Sequence, residues 1–173
     1  TNFVYGHPGF SVSIGVEVDG RPAAGVIVDP LLGDEFCAAT GHGTTRNGLA
    51  VRVSGIGELP AALVATGFSY DPDRRRRQAA VLVKVLPRLR DIRRMGGAAI
   101  DLASVSCGRV DAYFERGLNP WDYAAGAVLV TEAGGLITDL EGRPTTGDMT
   151  VAAPEAIHGP LLELLRSAGA DRV

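Results

Sequence analysis

The pattern of apolar residues changes once along the chain, near residue 57, and this change constrains the fold more than any other feature. Before it, Ser11 to Val18 alternates small or polar with apolar side chains, Asp19-Gly20 is a strong hairpin turn, and Arg21 to Val28 returns as the partner strand. After it, short apolar strands alternate with segments of helical pattern. We therefore predict an α/β fold of the layered α+β kind, because such alternation is typical of stacked sheets and helices.

The two patterns divide the chain into two predicted parts, residues 1–56 as an antiparallel-sheet subdomain and residues 57–173 as an α/β subdomain. Further strands are predicted at residues 35–39, 50–53, 63–66, 89–93, 112–115, 136–139 and 150–153. Helices are predicted at residues 73–86, 98–107, 121–133 and 154–167. Asp73 is the predicted N-cap of the first helix.

The stretch from Asn119 to Gly135 places an acid at the start of an apolar helix. Pro120 suits the first turn of a helix, so Asp122 falls where free backbone N–H groups and the helix dipole stabilise a negative charge. Upstream, Glu115 ends a predicted strand. α/β folds place metal and substrate chemistry where a strand leads into a helix, but the commonest role of such an acid is only to cap the helix. Both roles stay open for Asp122 on this pattern alone.

Two further stretches give weaker signals. At Gly96-Gly97-Ala98 a strand leads into a helix. Either the free N–H groups there hold a hydroxyl or phosphate oxygen, or the two glycines only form a tight turn. The run Arg74 to Arg77 lies in the first turns of a helix, where it binds nucleic acid or an acidic partner, or forms a solvated face. No aromatic residue is interleaved with the run and the helix dipole opposes it, so we predict full exposure.

Composition narrows the classes of function. The net charge of −3 gives no argument for nucleic acid or an anionic membrane, and no apolar run is long enough to span a bilayer. Cys37 and Cys107 lie far apart without metal-type spacing, so we predict buried free thiols in a reducing, cytoplasmic compartment. His7, His42 and His158 are isolated, and no serine or cysteine lies in a nucleophile motif, so no catalytic residue is assigned.

Three stretches taken together resemble the inositol monophosphatase family. They are Gly96 to Ala103 (GGAAIDLA), Gly108 to Glu115 (GRVDAYFE), and Trp121 to Gly126 (WDYAAG) with Glu132 to Gly135 (EAGG). Thr1 to Pro8 looks like the segment that follows the family's Asp-Pro-x-Asp-Gly-Thr motif. The likeness covers essentially the whole chain and implies the αβαβα sandwich of that family.

The resemblance also implies a function and a set of site residues. The family hydrolyses phosphate monoesters with magnesium ions, so it implies Mg²⁺ as cofactor and a small phosphorylated polyol or sugar, foremost inositol monophosphate, as substrate. Asp122 matches a metal-ligating aspartate that also contacts the substrate, and Glu115 matches a glutamate that hydrogen-bonds a substrate hydroxyl. Gly96, Gly97 and Ala98 match the strip that contacts the ring. The resemblance implies a homodimer as well.

Two departures from the family pattern matter for this expectation. Gly97 stands where the family usually has Ser or Thr, so a side-chain hydroxyl contact to the substrate is lost. The family's metal-binding glutamate, its two aspartates and its catalytic threonine would lie before Thr1. We therefore expect that the chain lacks the N-terminal third of the sandwich, is inactive alone and binds magnesium weakly, because Asp122 by itself does not supply the several oxygen ligands that Mg²⁺ requires.

Two alternatives to an inositol-phosphate phosphatase remain open. The first is another phosphatase of the same fold, acting on histidinol phosphate, fructose bisphosphate or a phosphoadenosine nucleotide. The second is a non-catalytic regulatory or binding member, which only the run Arg74 to Arg77 favours.

Overall fold

The first part of the chain folds into an antiparallel meander, as predicted. The computed structural model describes residues 1–173, and the five strands of this sheet, sheet 1, lie in chain order. They are β1 (Val12–Val18), β2 (Arg21–Asp29), β3 (Asp34–Ala39), β4 (Thr44–Arg46) and β5 (Leu49–Val51). Strand β4 was not predicted. Asn47-Gly48 is the hairpin turn between β4 and β5, with φ of 51° and 76°, as a type I′ turn requires.

The second sheet is mixed, and the helices lie between and after its strands. Its strands are β6 (Leu63–Thr66), β7 (Asp91–Arg93), β8 (Ala112–Arg116), β9 (Gly135–Thr138) and β10 (Met149–Pro154). Sheet 2 has the order β7-β6-β8-β10-β9, with β7, β6 and β8 parallel and β10 antiparallel to both neighbours. The helices are α1 (Pro72–Val85), α2 (Ala98–Ser106), α3 (Pro120–Glu132) and α4 (Glu155–Ala168).

Helix α1 begins and ends differently from the prediction. The assignment of Asp73 as N-cap was wrong, because the side chain of Asp71 accepts the hydrogen bond from the backbone N–H of Arg74 (2.6 Å) and Pro72 takes the first helical position. At the other end a 3₁₀ turn, Leu86–Arg88, continues the helix, and β7 is therefore shorter than predicted.

The elements stack in four layers: sheet 1, then α2 with α3, then sheet 2, then α1 with α4. Ile27, Phe36 and Leu129 belong to the core between sheet 1 and the middle helices, whereas Leu102 and Tyr113 belong to the core between those helices and sheet 2. The largest core, of 17 buried residues, lies between sheet 2 and the outer helices. The four layers match the corresponding layers of the predicted sandwich, and the outer face of sheet 1 is exposed.

Two cross-strand glycines let α3 approach sheet 1 closely. Gly15 pairs with Gly25 in the register of β1 and β2. A Cβ atom on Gly25 would lie 2.6 Å from the carbonyl oxygen of Ala125, and one on Gly15 would lie 2.8 Å from the Cβ of Ala124. Glycine is the residue that fits both places, so sheet 1 sets the position of the helix whose first turn carries Asp122.

Both cysteines are free, as predicted, but they are half-buried rather than buried. Cys37 pairs with Val26 on the outer face of sheet 1, opposite the face on which α3 lies, and that face is uncovered. Cys107 follows the last residue of α2 as its C-cap. None of the helices combines the length and the apolar composition that crossing a bilayer requires.

Candidate active site

The turn between β8 and α3 positions the two predicted acids. Backbone N–H groups of Gly117 and Leu118 donate to the carbonyl oxygen of Gly147 (3.0 and 2.8 Å), which holds the turn in place. The backbone N–H of Asn119 then donates to Oδ2 of Asp122 (2.8 Å). One carboxylate oxygen of Asp122 therefore caps the helix, while Oδ1 accepts no hydrogen bond from the protein and stays free for a ligand. The two roles left open by the sequence are compatible.

All five predicted site residues line one cavity, here called the Asp122 cavity, of about 330 Å³. Its lining comprises Phe68, Ser69, Tyr70, Arg74, Arg94, Gly96, Gly97, Ala98, Glu115, Arg116, Gly117, Leu118, Asn119, Trp121 and Asp122. Phe68 follows β6, Arg94 follows β7 and Glu115 lies near the end of β8, so the cavity is at the carboxyl ends of the three parallel strands. That edge is where open α/β sheets bind ligands.

Glu115 is held firmly at the wall of the cavity. The hydroxyl of Tyr113 donates to its Oε2 (2.6 Å), and Gly67 lies so close that a Cβ atom there would overlap the carboxylate. Burial and the charge of Asp122 raise the pKa of Glu115, against the hydrogen bond from Tyr113 and the charge of Arg94, and the net shift is upward. Gly67 was not among the predicted site residues; its tight contact depends on strand pairing that the sequence does not show.

A third acid, Asp101, is buried in α2 within electrostatic reach of Glu115, and the sequence analysis did not single it out. It is 1% exposed, and neither of its carboxyl oxygens has a hydrogen-bond partner. Burial, reinforced by the charge of Glu115, raises the pKa of Asp101 to about 8 despite the charge of Arg94. Asp101 is the only charged residue of the stretch Ala98–Ser106, and this was the available signal in the sequence. A buried carboxyl without a partner is rare outside functional sites.

The glycine strip opens helix α2 at the cavity. Gly97 is the N-cap, and the backbone N–H of Asp101 is the first to bond back into the turn, so the N–H groups of the first turn remain available to a ligand. The side-chain amide of Asn2 donates to the carbonyl oxygens of Met95 (2.9 Å) and Gly9 (3.1 Å), and the N-terminal segment thereby supports the strip from outside.

The arginine run is not uniformly exposed. Arg75, Arg76 and Arg77 are exposed, as predicted, but the prediction was wrong for Arg74, which is half-buried and lines the Asp122 cavity. Arg116, also in the lining, is bonded to the carboxylate of Asp148 (3.2 Å).

Candidate metal ligands are few among the residues of this chain. No group of three or more His, Cys, Asp and Glu side chains is placed to hold a metal ion. Asp122 offers one free carboxylate oxygen, whereas Mg²⁺ takes six ligands in near-octahedral geometry.

Comparison with known proteins agrees with the fold. The sequence is 44% identical over 172 residues to the inositol-1-monophosphatase of Mycobacterium bovis, with 95% of this chain and 59% of that protein covered. It is 39% identical over 171 residues to the Nus factor SuhB of Escherichia coli, with 95% and 63% covered. The chain thus spans about three fifths of the length of these relatives.

Solved structures show the same fold. An inositol monophosphatase from Anabaena superposes with a TM-score of 0.90 at 40% identity, covering 96% of this chain and 67% of that one. SuhB of Mycobacterium tuberculosis superposes with a TM-score of 0.89 at 41% identity, covering 96% and 68%. The model of the inositol monophosphatase family matches residues 1–170. The chain therefore belongs to the inositol monophosphatase family.

Proposed function

We propose that the protein containing this chain hydrolyses a phosphate monoester, with inositol monophosphate as the leading substrate. The observation that carries the proposal is the gathering of Gly96, Gly97, Ala98, Glu115 and Asp122 around one cavity. A cavity of about 330 Å³ suits a small phosphorylated polyol.

The residues of this chain bind and orient the substrate in this proposal. Glu115 accepts a hydrogen bond from a substrate hydroxyl through Oε1, since Oε2 is already bonded to Tyr113. The free N–H groups at the start of α2 donate to oxygens on the substrate. Because Glu115 is fixed by Tyr113 and by contact with Gly67, the hydroxyl that it accepts is held in one place.

Magnesium is the proposed cofactor, with Asp122 as one of its ligands. The substrate phosphate and water would supply further oxygen ligands, as is usual for Mg²⁺ in phosphoryl-transfer sites. Titration of residues 1–173 with magnesium in a calorimeter tests this, and we expect weak binding. Tight binding by these residues alone would overturn the expectation.

Phosphate release from a panel of esters by the whole protein tests the activity. Inositol 1-phosphate should be hydrolysed faster than histidinol phosphate, fructose 1,6-bisphosphate or a phosphoadenosine nucleotide. Glu115→Gln should raise KM for inositol 1-phosphate about tenfold or more, because a hydrogen bond to a charged group is weakened. Glu163→Gln, at an exposed position of α4, is the matched control. Release from none of the esters would refute the proposed activity, and a preference for another ester would replace the substrate.

A second candidate, binding of nucleic acid, has two observations in its favour. Relatives at 39–42% identity are named Nus factor SuhB, and Arg75, Arg76 and Arg77 form an exposed basic surface. Replacing all three with Ala should then weaken binding to single-stranded RNA and leave phosphate release unchanged. Unchanged RNA binding would leave the three arginines as a solvated face.

A further inference from the structure

We propose that the protein has a second small-molecule site, which binds a zwitterion with its carboxylate at Arg94 and its ammonium group at Asp29 and Ser104. The site is a cavity of about 580 Å³, here called the Ser104 cavity. It is a different cavity from the one that carries the proposed function, and the inference does not depend on that function.

The Ser104 cavity extends across three layers of the fold. Asp29 ends β2 in sheet 1, Ser104 lies in α2 of the middle layer, and Arg94 follows β7 in sheet 2. Apolar side chains contribute to its walls, namely Leu63, Met95, Ile100 and Val110. Small-molecule sites typically combine such apolar walls with a few polar groups that converge on one space, and their volumes are of this size.

Ser104 is a buried polar residue whose hydroxyl has no partner in the chain. The residue is 4% exposed and lines the cavity. Ser106, in the same helix, donates instead to the carbonyl oxygen of Ala103 (2.7 Å). Buried polar side chains are nearly always hydrogen-bonded, so the free hydroxyl of Ser104 is suited to a donor group on a ligand.

Asp29 offers a carboxylate oxygen to the same cavity. The residue is 3% exposed, and its Oδ1 accepts hydrogen bonds from the backbone N–H groups of Leu31 and Leu32 (3.0 Å each), which fix the carboxylate. Oδ2 accepts no hydrogen bond, and no cationic side chain is bonded to Asp29. A buried carboxylate is costly unless it is paired, so an ammonium group in the cavity would be bound favourably.

Asp29 and Ser104 lie toward the same end of the cavity. The carbonyl oxygen of Ser104 accepts a hydrogen bond from the backbone N–H of Arg109 (2.9 Å), and the guanidinium of Arg109 is bonded to Asp34 (2.5 Å). Asp34 is the cross-strand partner of Asp29. An ammonium group has three donors and can therefore bond to more than one acceptor at this end.

Arg94 lies at the other end, before helix α2 begins. The rise along the helix axis from Ala98 to Ser104 is about 9 Å at 1.5 Å per residue. A ligand that reaches both ends must therefore carry its two charged groups several bond lengths apart.

Two of the three arginines in the lining are already paired. Arg93 is bonded to Asp91 (2.5 Å) and Arg109 to Asp34 (2.5 Å). The guanidinium of the third, Arg94, makes no salt bridge within 4.0 Å and no hydrogen bond. Its planar fork of N–H donors matches a carboxylate, and such a bidentate pair is among the stronger hydrogen-bonded contacts.

The acids nearest to Arg94 leave its donors free. Glu115 and Asp101 lie within reach of its charge, since Arg94 lowers the pKa of both carboxyl groups against the effect of burial. Neither acid is hydrogen-bonded to Arg94, so a carboxylate on a ligand meets an open fork.

The lining thus keeps one free cation and one free anion, Arg94 and Asp29. His7, the remaining basic residue, is bonded through Nδ1 to the carbonyl oxygen of Pro8 (2.8 Å). A ligand with a single charge would leave Arg94 or Asp29 without a counterpart, whereas a zwitterion pairs with both. An apolar chain between its charged groups would pack against the apolar walls.

Binding of 6-aminohexanoate to the full chain tests the proposal. Hexanoate and hexylamine are the matched probes, because each has the same carbon chain and only one of the two charged groups. Shifts of the backbone amide signals of Ile100, Ser104 and Val110 in two-dimensional NMR spectra report binding in the Ser104 cavity. We expect saturable shifts at these amides, with 6-aminohexanoate binding about tenfold more tightly than either probe.

Two substitutions test the ammonium end at positions that do not line the Asp122 cavity. Asp29→Asn keeps one acceptor oxygen for the turn and removes the charge. It should weaken binding of 6-aminohexanoate about tenfold and change that of hexanoate by less than about twofold. Ser104→Ala removes only the hydroxyl and should weaken 6-aminohexanoate about threefold. Asp19→Asn, in the exposed turn between β1 and β2, is the control and should match the wild type.

Arg94→Gln tests the carboxylate end. It should weaken 6-aminohexanoate and hexanoate by similar factors, about tenfold, and leave hexylamine unchanged, because only the first two probes carry the carboxylate. Arg88→Gln, at an exposed position that lines neither cavity, is the matched control.

The inference is overturned if 6-aminohexanoate gives no saturable shifts at the three amides, or if it binds no more tightly than hexanoate or hexylamine. Unchanged binding in Asp29→Asn also overturns it. If circular dichroism shows that Asp29→Asn is unfolded, Ser104→Ala decides in the same way. Shifts confined to amides of the Asp122 cavity, such as that of Gly117, would place the zwitterion there and contradict the inference. Phosphate release is measured separately, so the inference and the proposed function can fail independently.

Discussion

The two sheets of the protein hold their buried carboxyl groups in opposite ways. Asp34, in β3 of sheet 1, accepts hydrogen bonds from Arg46 (2.7 Å) and Arg109 (2.5 Å). Asp101, in α2 beside sheet 2, has a partner for neither oxygen. The difference separates a framework acid from a candidate functional one: both oxygens of Asp34 are bonded to arginines, whereas neither oxygen of Asp101 has a partner.

The sheets also differ in how they are covered. Both faces of sheet 2 pack against helices, and every residue of β10 is buried. Sheet 1 is covered only on the face that meets α2 and α3. On its other face Val12, Ile14, Val16 and Val18 are between 46% and 58% exposed. Packing against sheet 2 therefore contributes more to the free energy of unfolding than packing against sheet 1. Sheet 1 contributes mainly through its contact with α3.

The largest expected difference comes from trimming one isoleucine beside each sheet. Ile157, in α4, is fully buried against sheet 2, so Ile157→Ala should lower the free energy of unfolding by about 2–5 kcal/mol. Ile14, in β1, is 57% exposed, so Ile14→Ala should cost less than about 1 kcal/mol. Urea unfolding followed by circular dichroism measures both. Equal losses would show that another surface covers the outer face of sheet 1 in solution.

The second prediction compares how the stability contributed by each of the two buried acids, Asp101 and Asp34, changes with pH. The folded pKa of Asp101 is about 8, far above the unfolded value near 3.8, so the native chain keeps a proton that the unfolded chain releases. Its contribution to stability is full below pH 4 and is lost as pH rises to about 8, at about 1.4 kcal/mol per pH unit. Asp101→Asn should flatten this slope, as urea unfolding at pH 5, 6, 7 and 8 would show. An unchanged slope would mean that Asp101 is charged in the native protein.

Asp34 should give the opposite pH dependence. Burial opposes ionisation of Asp34, but the hydrogen bonds and charges of Arg46 and Arg109 outweigh it and lower the pKa of the carboxyl. Its contribution is therefore present above the unfolded pKa and is lost as pH falls through the folded value. Asp34→Asn should destabilise the protein at pH 7 and remove part of its loss of stability in acid. Thermal unfolding from pH 7 to pH 3 tests this, and a variant as stable as the wild type at pH 7 would contradict it.

The third prediction concerns the contact between sheet 1 and α3. Gly25→Ala would put a Cβ atom 2.6 Å from the carbonyl oxygen of Ala125, so the helix must shift, at a cost of about 1–3 kcal/mol. Because α3 carries Asp122, binding in the Asp122 cavity should weaken as well. Gly55→Ala is the control, since no atom lies within 4 Å of its Cβ position. Equal stability of the two variants would show that the glycine pair does not position α3.

Much of this arrangement could be predicted from the sequence, and the exceptions share a physical cause. The first-turn position of Asp122 follows from Pro120 and the apolar run after it, which are local. The half-burial of Arg74 depends on how the start of α1 lies against the turn at Gly117, and that contact joins residues far apart in the chain. Asp101 gave only the weak signal of an acid in an apolar helix. The homodimer and the division at residue 57 stay predictions.

The smallest expected effect concerns a second contact between α3 and sheet 1, a pair of hydrogen bonds. Glu132, the last residue of α3, accepts hydrogen bonds from the backbone N–H groups of Gly41 (3.0 Å) and Gly43 (2.9 Å), in the turn between β3 and β4. Glu132→Gln keeps one acceptor oxygen and turns an NH₂ group toward the other donor, so it should cost about 1 kcal/mol. Hydrogen exchange of the two glycine amides should become faster by NMR, whereas Glu163→Gln, at an exposed position of α4, should leave it unchanged. Unaltered exchange in Glu132→Gln would mean that the close packing of α3 on Gly15 and Gly25 holds sheet 1 in place without the hydrogen bonds of Glu132.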